Sequence, residues 1–207
     1  MTASPPQPLD RRARWEIAGA VGTGVGQLLT APLGLSVVYV PLVLAGWALY
    51  LASRLRQPEA REAIGLGRSG LAGAARAMAG IGGLALLGMA AWGARHGRLV
   101  WTPSWIPLLF LYPVWGVIQQ TLVQGFLVRH LADRWPRQPV AVTLAGAVMF
   151  GLVHLPSWDL TALTFLFGLA ATPVYLRRRN VWPLGLAHGW LGAAAYLWVL
   201  GRDPWVW

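Results

Sequence analysis

The sequence contains no cysteine, and it has little charge. Without thiols there is no disulfide framework, no thiolate nucleophile and no cysteine-based metal site. Charged residues make up 12% of the chain, about half the usual share for a soluble domain. Only seven of the 207 residues are acidic, so carboxylate chemistry has few places to reside. What fills the chain is apolar: 56% of its residues, with a mean hydropathy of +0.51. Some apolar runs reach about 20 residues, the length a helix needs to cross a hydrocarbon layer about 30 Å thick. These features exclude a soluble globular protein. They predict an all-α integral membrane protein, a bundle of about seven transmembrane helices.

The net charge of +10 does not point to nucleic acid. All 17 basic residues are arginines, nearly all of them in short segments between apolar runs, with Arg76 inside one, and no basic stripe alternates with stacking aromatics. The expected partner is the lipid bilayer. Residues 1–14 read as a polar tail, 15–103 as N-terminal membrane helices, 104–200 as a helical core and 201–207 as an interfacial tail. Apolar segments fall at about 15–32, 34–53, 71–94, 104–130, 139–156, 159–176 and 181–200. Pro136, Pro139, Pro156 and Pro183 mark ends, since proline cannot continue a helix. The first segment is the weakest, with Gly19, Gly22, Gly24 and Gly26 beside Glu16 and Gln27. Its small residues allow close helix packing. With the N-terminus inside, thirteen arginines fall in inner segments and three in outer ones. That asymmetry predicts a cytoplasmic-membrane protein with an inner N-terminus and an outer C-terminus. Trp101, Trp105, Trp158, Trp205 and Trp207 then form the outer aromatic belt.

Polar residues inside a bilayer cost free energy unless they find partners. Gln119, Gln120 and Gln124 lie in the fourth segment, WGVIQQTLVQGF; Phe150 and His154 are one turn apart in the fifth; His188 and Gly192 share that spacing in the seventh. Three glutamines and two histidines in oily helices are best satisfied by one another, so Gln119, Gln120, His154 and His188 are expected to line one cavity. Straight helices at about 1.5 Å per residue place them at different depths. Convergence requires tilted helices, and tilts of about 20° are common in membranes, or boundaries displaced by a turn.

The order of these elements resembles the CAAX-protease and bacteriocin-processing family, the Abi-type glutamic intramembrane proteases. That family carries Glu-Glu-x-x-x-Arg on one helix, Phe-x-x-x-His on the next and His-x-x-x-Asn on a later one. Here Gln119, Gln120 and Gln124 stand at the two Glu and the Arg. Phe150 and His154 match the second motif, His188 matches the third, and Gly192 replaces its Asn. The resemblance implies a site with Gln119, Gln120, His154 and His188 at the catalytic positions. Gln124, Phe150 and Gly192 would be in the binding wall, with no cofactor and no metal. It also implies that a Glu activates the attacking water, the histidines assist and the Asn steadies the oxyanion.

The departures bear on that chemistry. A general base must accept a proton, and a glutamine amide has no accessible pKa near neutrality. Six of the seven acids (Asp10, Glu59, Glu62, Asp133, Asp159 and Asp203) fall in tails or loops, and Glu16 begins the first segment. No HExxH motif supports a metalloprotease. The sequence thus suggests a catalytically impaired relative of CAAX-type endopeptidases that binds a lipidated peptide, a membrane helix or a lipid. The alternatives are an active endopeptidase using His154 or His188, and a transporter or channel subunit.

Overall fold

The computed structural model describes residues 8–203, and every regular element among them is helical. α1 (Arg11–Thr30) starts where Asp10 accepts the Ala13 N–H at 2.6 Å, satisfying one of the donors a helix leaves open at its start. A 3₁₀ turn, Ala31–Leu33, leads into α2 (Ser36–Arg54). The short α3 (Pro58–Ile64) opens on a proline and closes at Gly65, which has φ +89°. α4 spans Leu71–Arg95. α5 (Trp105–Gln120) continues through a π-helical stretch, Thr121–Val128, into α6 (Arg129–Arg134). α7 (Pro139–Leu152), α8 (Trp158–Arg178) and α9 (Trp182–Ala194) follow, the last extended by π-helical turns over Ala195–Leu200.

Four of these helical runs are long and apolar enough to cross a membrane: Ser36–Arg54, Leu71–Arg95, Trp105–Arg134 and Trp158–Arg178. The other expected spans are also helical. α1 is the polar one, and α7 is shorter than expected, ending at Leu152 rather than near 156. Pro156 fits the early stop, because a proline has no N–H to give the carbonyl four residues back, here Leu152, and its ring would clash there. Of the expected aromatic belt, Trp101 and Trp158 are exposed, whereas Trp105 is buried between Trp101 and Trp198. Trp205 and Trp207 lie outside the described residues.

Close approach of backbones sets the core geometry. A Cβ at Gly185 would lie 2.4 Å from Val117 Cα, and one at Gly189 2.4 Å from Pro113 N. α5 and α9 therefore cross with their main chains in contact, as small residues permit in lipid. A second fastening lies at one end of the bundle. The buried Asn180, in the α8–α9 turn, donates to the carbonyls of Gly67 (3.0 Å) and Ser69 (2.9 Å) and accepts the Trp182 N–H at 3.2 Å. Trp182 Nε1 donates to Leu66 O at 3.0 Å. The loop after α3 is thus buckled onto the start of α9.

Glu16 is not the incidental helix-start acid of the sequence reading. It is 2% exposed. Its Oε1 accepts from the Tyr50 hydroxyl at 2.5 Å, and its Oε2 accepts from Arg129 at 2.7 Å and lies 2.6 Å from His130 Nε2. Arg54 stands 3.8 Å away. Arg129, counted among the topology-setting arginines, is therefore spent on an internal pair, which sequence spacing cannot reveal across 113 positions. Breaking such a pair from one side leaves the other charge buried and unmatched, at a cost of about 3–5 kcal/mol. Glu16→Ala should lower the unfolding midpoint in detergent sharply, and Tyr50→Phe should lower it less. Equal stability of Glu16→Ala and the parent would count against this assignment.

Candidate functional site

α1, α2, α4, α5, α7, α8 and α9 line a cavity of about 760 Å³. Its walls are mainly apolar side chains, and Gln119, His154, His188, Phe150 and Gly192 all contribute to them. Gln119, on the last turn of α5, places Oε1 2.8 Å from Nε2 of His188 on α9. An amide oxygen only accepts, so His188 Nε2 carries the hydrogen and Nδ1 keeps the lone pair. His154 lies in the turn just past α7, and its Nδ1 is 2.9 Å from the Phe150 carbonyl oxygen. The same logic puts the hydrogen on Nδ1 and leaves Nε2 of His154 as the open acceptor. The Phe150 ring meets both imidazoles edge-on, with centroids 5.5 Å from His154 and 4.8 Å from His188; the two imidazoles are 6.5 Å apart.

Gln120 and Gln124 do not share this wall. Consecutive helical residues point about 100° apart, so a helix that presents Gln119 to the cavity turns Gln120 away. Both Gln120 and Gln124 are fully buried, and Gln124 Nε2 donates to Thr172 Oγ1 of α8 at 3.0 Å. The expectation that both glutamines of the pair share the cavity is corrected to one. The two histidines and Gln119 nonetheless converge: Gln119 is bonded to His188, and the imidazoles are 6.5 Å apart. No carboxylate or arginine is among the lining residues, and the described residues hold no cluster of three or more His, Cys, Asp or Glu able to hold a metal.

Sequence reasoning missed two contributors. Tyr112 lines the cavity from α5, and its ring is 3.6 Å from the point where a Gly192 Cβ would sit. The α1–α2 hairpin supplies Thr23, Gly24, Gln27, Tyr39 and Val43. The glycine-rich face of α1 was the available signal for its inward packing, but nothing in the sequence indicated that α2 would join it.

The glycines of α9 therefore divide into two kinds. A side chain at Gly192 meets nothing closer than the Tyr112 ring, whereas one at Gly189 collides with the Pro113 backbone at 2.4 Å. Gly192→Asn, the residue of the resembled motif, should leave stability within about 0.5 kcal/mol of the parent. Gly189→Ala should destabilise by about 1–3 kcal/mol or more through overpacking. Thermal unfolding of the two purified variants checks the contrast, and the reverse order would refute it.

Residues 98–194 match the family described as type II CAAX prenyl endopeptidase Rce1-like. No curated protein and no solved structure matches the chain. The matched stretch contains α5 through α9, and with them Gln119, Phe150, His154, His188 and Gly192. The motifs, their order on membrane helices and this match agree: over residues 98–194 the chain is similar to the Rce1-like type II CAAX prenyl endopeptidases.

Proposed function

We propose that this membrane protein keeps the cavity of a CAAX-type endopeptidase and uses it to bind a lipid chain, free or attached to a peptide, without cutting it. The observation that carries this reading is the pairing of His188 with an amide, Gln119, in a largely apolar cavity with no carboxylate in its wall. Peptide hydrolysis needs a group that removes a proton from water as it attacks. In the resembled family that group is a Glu; here the same position holds an amide that cannot take the proton. Gly192 likewise offers no donor to a developing oxyanion, and loss of one such donor typically costs about 10²–10³ in rate. Phe150, His154 and His188 remain as a wall that is polar at one point and apolar around it, suited to a ligand with a polar junction and a long chain. A whole membrane helix, about 30 Å long and 10 Å across, is far larger than 760 Å³, which favours a chain.

In the bilayer we place the N-terminus inside and propose seven crossings, on the arginine asymmetry of thirteen to three. Reporter fusions after Arg179 and after Gly201 should then report opposite sides of the membrane. Signals from the same side would remove the last crossing, and opposite signals with the sides exchanged would invert the bundle.

The catalytic part is tested with a lipidated peptide substrate. The unmodified protein should bind it and leave it intact. Gln119→Glu with Gly192→Asn restores a carboxylate 2.8 Å from His188 and an amide one turn away; it should produce slow cleavage that His188→Ala abolishes. Robust cleavage by the unmodified protein, lost on His154→Ala or His188→Ala, would establish a histidine-based endopeptidase instead.

A further inference from the structure

The α1–α2 hairpin lies outside the family-like stretch, yet it forms one side of the cavity. Its attachment to the rest of the molecule is uneven. Near the α1 start, Glu16 is bound to Arg129 and His130. Nearby, Trp47 stacks on Phe126 at 5.2 Å and Tyr50 meets the same ring at 5.9 Å. Toward the other end the ties thin out. The hydrogen bonds of residues 25–45 stay within the hairpin: Gln27 to Ser36, Thr30 to Gly26, Tyr39 to Thr23. No residue of α2 is buried. This end meets the core at the buried Gly24, where a Cβ would stand 2.6 Å from Val153 Cγ1 and 3.0 Å from the tip of Met149. Val153 immediately precedes His154.

A wall anchored at one end and merely touching at the other opens at the touching end, because local opening follows the weakest set of buried contacts. We infer that the α1–α2 hairpin is a lateral gate: it pivots on the Glu16 cluster, and its Gly24 end parts from Val153 to admit an apolar chain from the bilayer to His154 and His188. The chain as ligand rests on the reading under Proposed function; the hinged hairpin does not. Access from the side suits an apolar ligand, since its chain need never leave hydrocarbon. Gly24 suits a closing contact because its bare backbone seats directly on Val153.

Two measurements decide the matter, both aided by the absence of native cysteine. In the first, nitroxide labels at Leu35→Cys and Leu166→Cys, both exposed positions, report hairpin-to-core distance in nanodiscs. A gate gives a closed population and a second, clearly longer one; a single narrow distance overturns the gate whatever the cavity binds. In the second, Gly24→Cys with Val153→Cys locks the hairpin. The Cβ atoms would be 3.9 Å apart, within the range a disulfide bridges without strain. The probe is a photoreactive dodecyl amphiphile added to the bilayer, with labelled peptides mapped by mass spectrometry. Cavity labelling should fall to background on oxidation and return on reduction. A pair within the core, Gly82→Cys with Ala187→Cys, with Cβ atoms 3.8 Å apart, should leave labelling unchanged when oxidised. Equal labelling of locked and reduced protein would overturn the gate. Absence of labelling in every form would sink the apolar-chain reading, and the nitroxide distances would still decide whether the hairpin opens.

Discussion

α5 and α9 touch main chain to main chain, and most of the site follows from that contact. Val117 and Pro113 occupy the space that side chains at Gly185 and Gly189 would need. Once the two axes are that close, Gln119 and His188 are in hydrogen-bonding reach. A bulkier residue at either glycine would move the helices apart and uncouple the pair before touching the cavity. In lipid there is little hydrophobic drive between helices. Steric fit of this kind, together with satisfied polar groups, is what holds such a bundle in one arrangement.

The polar groups show the same economy. Each buried charge or amide described above that joins two helices does so across a long sequence separation: Glu16 to Arg129, Gln124 to Thr172, Gln119 to His188. Water is not at hand in the bilayer core to take over a lost partner, so these contacts act as registration marks. They fix how far one helix is slid or turned relative to another, which apolar packing alone leaves loosely set.

Much of this was legible in the sequence. Hydropathy and length identified an all-helical membrane protein, and the fixed order of Gln119, Phe150, His154, His188 and Gly192 on successive helices brought out the family resemblance. What stayed hidden depended on tertiary contact. The turn of Gln119 toward the cavity and of Gln120 away from it follow from helix phase, which a pair of identical neighbours does not disclose. Glu16 reads as a residue at a helix start, because its partners lie on α2 and beyond α5. The shortened α7 was marked by Pro156, but the effect on the depth of His154 emerges only once α7 and α9 are placed together. α2 looks like an ordinary span, and its part in the cavity is set by where α1 carries it.

The buckle between the loop after α3 and the α8–α9 turn has a consequence for biogenesis. Asn180 reaches back 113 positions to Gly67, so this fastening forms only after the chain has been made as far as the α8–α9 turn. Until then the first four helices reside in the membrane with the carbonyls of Leu66, Gly67 and Ser69 still lacking their final donors. Glu16 can meet Arg129 and His130 earlier, so the clasp on the loop after α3 comes after that first joining, and a chain truncated before the α8–α9 turn loses both the α9 cavity wall and the clasp. That late contact is one local feature by which a bundle that includes α9 differs from one that stops short of it.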